Sequence, residues 1–314
     1  MKEFIKINGE KIGVGEEKQI NVPIARLPTH TQIHIPIYVS RSTEDGPTLL
    51  VMAGMHGDEI NGVETLRRIL VRGLNRPKRG SVISIPVLNI FGFINFSREV
   101  TDGKDVNRSF PGTTAGSLAS QVAHYVTHEI LPQINYGLDF HTGGARRNNY
   151  PQVRAALSDL NNEELARAYN PPFIINAPYR DKSLRKQAAK EGIPVLVFEG
   201  GESLRLRKNA IDEGLNGFLR LMKHLNMIDD APEAAKTPVR IDKTTWLRAK
   251  VSGLQHTYCR NGCPVAKDEV IGLITDPFGE FEAKITSPVD GFIIGINNNP
   301  VINRGDPLIH IGLK

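Results

Sequence analysis

A histidine and a carboxylate stand three residues apart in Gly54-Met55-His56-Gly57-Asp58-Glu59, directly after the apolar run Thr48-Leu49-Leu50-Val51-Met52-Ala53. Imidazole nitrogen and carboxylate oxygen are both common zinc donors, and a catalytic zinc takes three protein ligands and keeps a further position for water. An H-x-x-E pair alone is also what a solvated helix start with an incidental histidine looks like, so a third donor has to be found. Ile134-Asn135-Tyr136-Gly137-Leu138-Asp139-Phe140-His141-Thr142-Gly143-Gly144 supplies it with the same grammar: a short apolar strand, a histidine, then glycines. Asp139 precedes His141 by two positions and so shares its strand face. There it can accept the second ring N–H of a metal-bound histidine, or serve as a hydrogen-bonded turn residue.

A third run, Gly192-Ile193-Pro194-Val195-Leu196-Val197-Phe198-Glu199-Gly200-Gly201-Glu202, again ends in a charged residue and two glycines. A carboxylate beside a metal, and not on it, can take a proton from water and return it to a leaving nitrogen, which is the role expected of Glu199. Glu202 is the rival, although its place beyond the glycines reads as a surface loop. Between the second and third of these runs and the first lies Asn95 to Gly112, rich in turn formers, arginine and asparagine. The donor fork of Arg108, with the Asn107 amide, suits a grip on a substrate carboxylate, where the competing reading is a surface arginine in a charged loop.

These groups need a scaffold that brings strand ends together. Strands are expected near 48–53, 81–88, 134–140, 173–176 and 193–198, after a β-rich stretch from Thr31 to Ser40 that alternates at Ile33, Ile35, Ile37 and Val39. Helical patterns fall near 58–72, 116–130, 160–168, 182–191 and 209–226. Strands alternating with helices make an α/β domain with a mixed, mostly parallel sheet covered on both faces, and ligands collect at the carboxyl ends of such strands. Asp229 to Pro238 reads as a linker, and from Val239 onward helical patterns give way to short β segments punctuated by glycine. The expected units are a catalytic domain over 1–230 and a small all-β domain over 239–314.

The chain has 314 residues, 40% of them hydrophobic, and a formal net charge of +5. No apolar run approaches the ~20 residues of a membrane helix, and Met1-Lys2-Glu3-Phe4 leads into polar sequence and not a secretory apolar region. A cytoplasmic protein with no membrane partner is expected. The basic residues are scattered, which argues for mild attraction of anionic substrates and against a nucleic-acid footprint. Cys259 and Cys263 flank an Asn-Gly turn; a second metal site or redox pair is conceivable, and reduced structural thiols fit a reducing compartment. His124 and His128 have ligand-capable i, i+4 spacing, but no catalytic loop beside them, and read as a solvated helix face.

Taken in order, Met55-His56-Gly57-Asp58-Glu59, Asp105-Val106-Asn107-Arg108-Ser109-Phe110-Pro111-Gly112, Asp139-Phe140-His141-Thr142-Gly143-Gly144 and Phe198-Glu199-Gly200-Gly201 resemble the succinylglutamate desuccinylase/aspartoacylase family, which groups with the zinc carboxypeptidases. The resemblance implies one Zn2+ per chain on His56, Glu59 and His141, with Glu199 as general base and acid. It further implies that Arg98 stabilises the oxyanion and that Asn107 and Arg108 hold the carboxylate next to the scissile amide. A further arginine for a substrate side-chain carboxylate matches Arg185, with Arg180 as the nearby alternative. The C-terminal segments Ile285 to Ile294 and Asn303 to Ile309 resemble a biotinyl/lipoyl-type sandwich, without the lysine used for cofactor attachment. That domain then covers the site or makes a homo-oligomer contact.

The function these readings imply is a zinc amidohydrolase acting on a small-molecule N-acyl substrate that carries a carboxylate. A metallocarboxypeptidase acting on peptides is the alternative enzyme, although a capped pocket favours the small substrate. An inactive binding protein on the same fold is the alternative outside enzymes, which metal analysis and hydrolysis assays separate.

Overall fold

The computed structural model describes residues 2–234 and 236–314; Met1 in the opening stretch and Ala235 in the expected linker lie outside the described residues. Its centre is a set of parallel strands. Glu44–Ala53 lies between Arg79–Ile85 and Tyr136–Gly143 and runs parallel to both, and Tyr136–Gly143 is in turn parallel to Val195–Glu202. Leu49, Val51 and Ala53 pack into one hydrophobic cluster and Leu50 and Met52 into another, so both faces of the strand are buried. That is why the run is continuously apolar and does not alternate.

Helices Ile60–Val71, Leu160–Tyr169 and Lys208–His224 cover one face, where Phe140, Tyr169, Phe198 and Phe218 form the aromatic part of the core. Leu118–Tyr125 covers the other, and then widens into a π-type turn over Val126–Ile130 and tightens over Leu131–Gln133, where Pro132 removes a donor. The outer strands Gln32–Arg41 and Glu17–Arg26 add on antiparallel, so the sheet is mixed.

Two features depart from the sequence expectation. The first helix begins at Ile60, with Glu59 as its N-cap residue making no side-chain cap, because the Glu59 carboxylate turns towards the histidines. A strand at Arg147–Ala155 was not expected: its Asn149, Pro151 and Gln152 do not look like a sheet centre, yet it pairs antiparallel with Val195–Glu202. Tyr150 and Pro151 together oppose Gly200, so the proline sits in a bulge where no ladder donor is needed.

The C-terminal strands fall into two antiparallel sheets packed around Ile271, Ile274, Ile285, Ile293, Ile309 and Ile311. One sheet holds Gly253–Thr257, Val270–Thr275, Glu282–Thr286 and Val301–Ile302. The other continues the main sheet: Gly291–Asn297 pairs with Arg147–Ala155 on one side and Pro307–Leu313 on the other. Val239–Ile241 likewise pairs with Phe173–Asn176. The division into 1–230 and 239–314 is therefore a proposal crossed by two hydrogen-bonded ladders.

Two glycines set the turn out of the first strand. Gly54 has φ +63°, and a Cβ at Gly57 would lie 1.8 Å from the carbonyl carbon of Gly92 in the short helix Ile90–Ile94. Backbone against backbone cannot be relieved by a rotamer change, so Gly57→Ala is expected to cost about 3 kcal/mol of stability, measured as a lower urea midpoint in metal-free protein.

Candidate active site

The three parallel strands end side by side. In their ladder Ala53 is level with Phe140, and His141 is level with Glu199, so His56, His141 and Glu199 emerge at one edge of the sheet. They line a cavity of roughly 700 Å³ together with Glu59, Arg98, Asp105, Asn107, Arg108 and Arg185. The residues that the resemblance assigns to metal, proton transfer and substrate are thus in one place.

His56, Glu59 and His141 are buried and their donor atoms all lie within 4.8 Å of one another. Glu59 spans the two imidazoles, with His56 Nδ1 at 2.8 Å from Oε1 and His141 Nδ1 at 2.9 Å from Oε2. Thr142 N–H also donates to Oε2 at 2.9 Å. Each ring's other nitrogen meets a carboxylate: His141 Nε2 is 2.8 Å from Asp139 Oδ2, and His56 Nε2 is 3.2 Å from Asp105 Oδ1. Both nitrogens of each ring thus face a carboxylate, and the two Nδ1 atoms lie 3.2 Å apart; a cation held on the Nδ1 atoms would leave each Nε2–H to donate to its aspartate.

Electrostatics make this a cation site. Glu59 and Asp105 face the Arg98 guanidinium, which donates to Asp105 Oδ2 at 2.7 Å and to Glu59 Oε1 at 3.3 Å, and Asp139 lies in the field of Arg185. Three carboxylates are in contact with the two imidazoles, a field that favours a cation between the rings. The two Nδ1 lone pairs and a Glu59 oxygen are the donor set zinc accepts, so the residues fit a metal ion. The same field acts on protons. Burial opposes charge on His56 and His141, but Glu59 with Asp105 raises the first, and Asp139 with Glu59 holds the second well above the usual imidazole range. Burial likewise opposes ionisation of Glu59, yet His56 and His141 hold it well below the usual carboxylate range.

The Asn95 to Gly112 segment is anchored around this group. Asn89 caps the helix Ile90–Ile94 through Gly92 N–H and donates from Nδ2 to Arg98 O, while Gly57 N–H donates to Ser97 O. Asp105 caps the single turn Val106–Arg108, its Oδ1 accepting from Asn107 N–H at 2.7 Å. Asn107 Oδ1 accepts from Leu184 N–H, tying that turn to the helix Leu184–Lys190. Arg108 is exposed and Arg180 reaches the same cavity. Arg185 lines it too, but its donors go to the carbonyls of Arg154, Ala177 and Pro178. Burial, helped by Arg154, pushes the Arg185 guanidinium down to about 10.

Glu199 is held at both oxygens: Asn149 Nδ2 donates to Oε2 at 2.8 Å, and Arg154 Nη1 lies 3.3 Å from Oε1. Its rival Glu202 is not on a surface loop. It is buried at the end of the same strand and paired with Arg207, drawn there because a carboxylate in that position needs a counter-charge. The C-terminal region contributes Trp246 to the cavity wall, stacked on His310 at 4.5 Å and 6° with the Arg147 guanidinium 5.9 Å from its ring. Burial, together with Arg154 and Arg147, pushes His310 down to about 3, so it stacks as a neutral ring.

Away from the cavity, His124 is half-buried and His128 exposed, with rings 4.1 Å apart, and among the described residues they join no three-residue metal group. Cys259 and Cys263 are free thiols, and burial raises Cys259 to about 11.

The model of the succinylglutamate desuccinylase/aspartoacylase catalytic domain matches residues 45–225, and the chain belongs to that family of deacylating hydrolases. N-alpha-acetyl-L-2,4-diaminobutyric acid deacetylase of Halomonas elongata is 26% identical over 295 residues, covering 88% of this chain and 84% of the relative. A succinylglutamate desuccinylase/aspartoacylase structure from Rhodobacter sphaeroides superposes with a TM-score of 0.85 at 24% identity, covering 95% of each chain. The product-bound ectoine utilization protein EutE (DoeB) of Ruegeria pomeroyi gives 0.84 at 20% identity, again over 95% of each chain. The family, and the α/β fold with its C-terminal β sheets, are those expected from the four motifs.

Asp105, Asn149, Arg154 and Trp246 were not singled out from sequence. Asp105 alone left a local signal, an Asp two residues before Asn107 that caps the turn carrying Asn107 and Arg108. Because it also holds His56 Nε2, Asp105→Asn is expected to weaken metal affinity by about 10- to 100-fold, read by competition with a chromogenic chelator.

Proposed function

We propose that the protein is a zinc-dependent amidohydrolase that removes an acyl group from an N-acyl amino acid or a similar small carboxylate-bearing amide. The observation that carries this reading is the convergence of His56 Nδ1, His141 Nδ1 and Glu59 beside Glu199 in one cavity. Membership of a deacylase family supports it, as does the likeness to a deacetylase whose named substrate is an N-acetyl amino acid. Zinc on His56, Glu59 and His141 would supply Lewis acidity towards the amide carbonyl and make water a better nucleophile.

The chain's own residues do the rest. Glu199 takes a proton from the attacking water on a carboxylate oxygen and gives it to the leaving nitrogen. Arg98, already fixed by Asp105, offers Nη1 to the oxygen that gains charge as the carbonyl carbon becomes tetrahedral. Asn107 and Arg108 hold the substrate carboxylate, and Arg180, which makes no side-chain hydrogen bond among the described residues, stands beside them; Arg185 backs that end of the cavity. The indole of Trp246 closes the wall and keeps the space to the size of a small molecule. A cytoplasmic setting agrees with two free thiols, and no helix among the described residues is long and apolar enough to cross a membrane.

Glu199→Gln is expected to retain the metal and lose turnover by about two orders of magnitude or more; near-normal hydrolysis of N-acyl amino acids would move the proton carrier elsewhere. A panel of N-acetyl, N-succinyl and longer N-acyl amino acids, each paired with its decarboxylated amide, tests the substrate class. Arg108 and Arg180 are solvent-exposed, so each lost contact is worth about 1 kcal/mol and the decarboxylated members should lose about tenfold in kcat/KM. Equal rates for acids and decarboxylated analogues would remove the carboxylate clamp from the assignment.

A further inference from the structure

The C-terminal strand Gly291–Asn297 lies one strand away from Glu199, with Arg147–Ala155 between them. Each flanking ladder is broken: Tyr150 and Pro151 bulge opposite Gly200 against Val195–Glu202, and Ile294 bulges between Ile293 and Gly295 against Pro307–Leu313. Bulges next to active sites re-aim side chains, and each leaves a carbonyl outside the regular ladder. Here a single side chain collects both. Gln152, fully buried and level with Glu199 in the ladder, donates Nε2 to Tyr150 O and to Ile294 O, each at 3.1 Å. Its Oε1 then accepts from Arg154 Nε at 3.4 Å, and Arg154 Nη1 faces Glu199 Oε1.

A second connection reaches the other oxygen. Asn149 is buried, is level with Gly295, and donates to Glu199 Oε2. A Cβ on residue 295 would come 2.8 Å from Asn149 Oδ1, its nearest neighbour, and the next contact is 3.3 Å away at His310 Cβ. The atom forced to move by any side chain at 295 is therefore the amide that holds Glu199.

We infer that Asn149, Gln152, Arg154 and Gly295 are positioning residues for Glu199, and that the C-terminal strand Gly291–Asn297 orients this carboxylate through both of its oxygens in addition to walling the cavity. The inference rests on the reading of Glu199 as the proton carrier. The bidentate hold selects one rotamer out of the several a glutamate samples, and orientation of that kind enters the chemical step more than substrate binding.

The test uses the full-length zinc-loaded protein with the best N-acyl amino acid of the panel. Gly295→Ala and Gln152→Met should each lower kcat about tenfold or more with KM within about twofold, with zinc content unchanged. Ile293→Val, a core substitution in the same strand, should leave kcat within about twofold. A crystal structure of Gly295→Ala should show the Asn149 amide displaced and the Glu199 carboxylate turned. Should Gly295→Ala fail to fold, Gln152→Met and Asn149→Ala carry the same expectation. Combining Gln152→Met with Glu199→Gln separates the two readings. If Glu199→Gln alone retains normal turnover, the proton-carrier assignment fails. If Glu199→Gln is slow and Gln152→Met slows it by the same factor as in the parent, or if the single variants change KM and not kcat, the positioning role is overturned.

Discussion

Two imidazoles facing each other through Nδ1 atoms 3.2 Å apart, buried and bridged by the Glu59 carboxylate, are the constraint around which the site is built. Left to themselves the two lone pairs repel, and either ring could turn its N–H inward. Asp139 and Asp105 oppose this by offering an acceptor to Nε2 on the far side of each ring, which orients the ring and, with a cation on the inner side, favours the Nε2–H tautomer. Glu59 bridges the open side. The result is a pocket of negative potential with its donors pointed inward, and a positive charge, whether metal or proton, is what relieves it. The raised imidazoles and the depressed Glu59 carboxylate express that same field.

Holding this arrangement requires elements far apart in sequence to meet within tenths of an ångström. Asp139 comes with His141 at no extra cost, because both lie on one strand face. Asp105 does not: it is 49 residues from His56 and sits in an irregular segment. That segment is stitched in place by Asn89, by Ser97 and by the cap Asp105 makes on its own turn. The loop is thus rigid where it carries chemistry, and Arg98, whose guanidinium is pinned by Asp105, inherits that rigidity.

His56, Glu59, His141 and Glu199 were legible in the sequence because strand ends in a parallel sheet leave a local signature: an apolar run, a charged or imidazole group, then glycines that permit the turn. The continuous apolar character of Leu49 to Ala53 reflects burial on both faces, which also made the strand easy to place. The Arg147–Ala155 strand was hidden for the opposite reason. Its inward residues are Asn149, Gln152 and Arg154, chosen to serve Glu199 and the bulges, so polarity that belongs to the site masked the β pattern. The start of the first helix shifted two residues for a related cause, since Glu59 is spent on the histidines and not on helix geometry. Continuity of the C-terminal strands with the main sheet could not be read at all, because pairing between Gly295 and Asn149 is a property of two edges and not of either segment.

The cavity carries charges of both signs, and the two exposed guanidiniums on its wall, Arg108 and Arg180, give the site a direction. Glu59, Asp105 and Asp139 contact the imidazoles, and Arg108, Arg154, Arg180 and Arg185 also line the cavity. Arg185 is half-buried and spends its donors on carbonyls, so its contribution to the field is its charge more than its hydrogen bonds. A molecule with one anionic end and a polarisable carbonyl a short distance away is aligned by such a field before any contact forms, with the anion drawn to the exposed guanidiniums and the carbonyl left towards the imidazoles. Glu199 stands in the same cavity, one oxygen on Arg154 and the other on Asn149. On the proposed reading, that position sets a carboxylate between the His56–Glu59–His141 group and the guanidiniums that would hold the substrate, where a proton has to be moved.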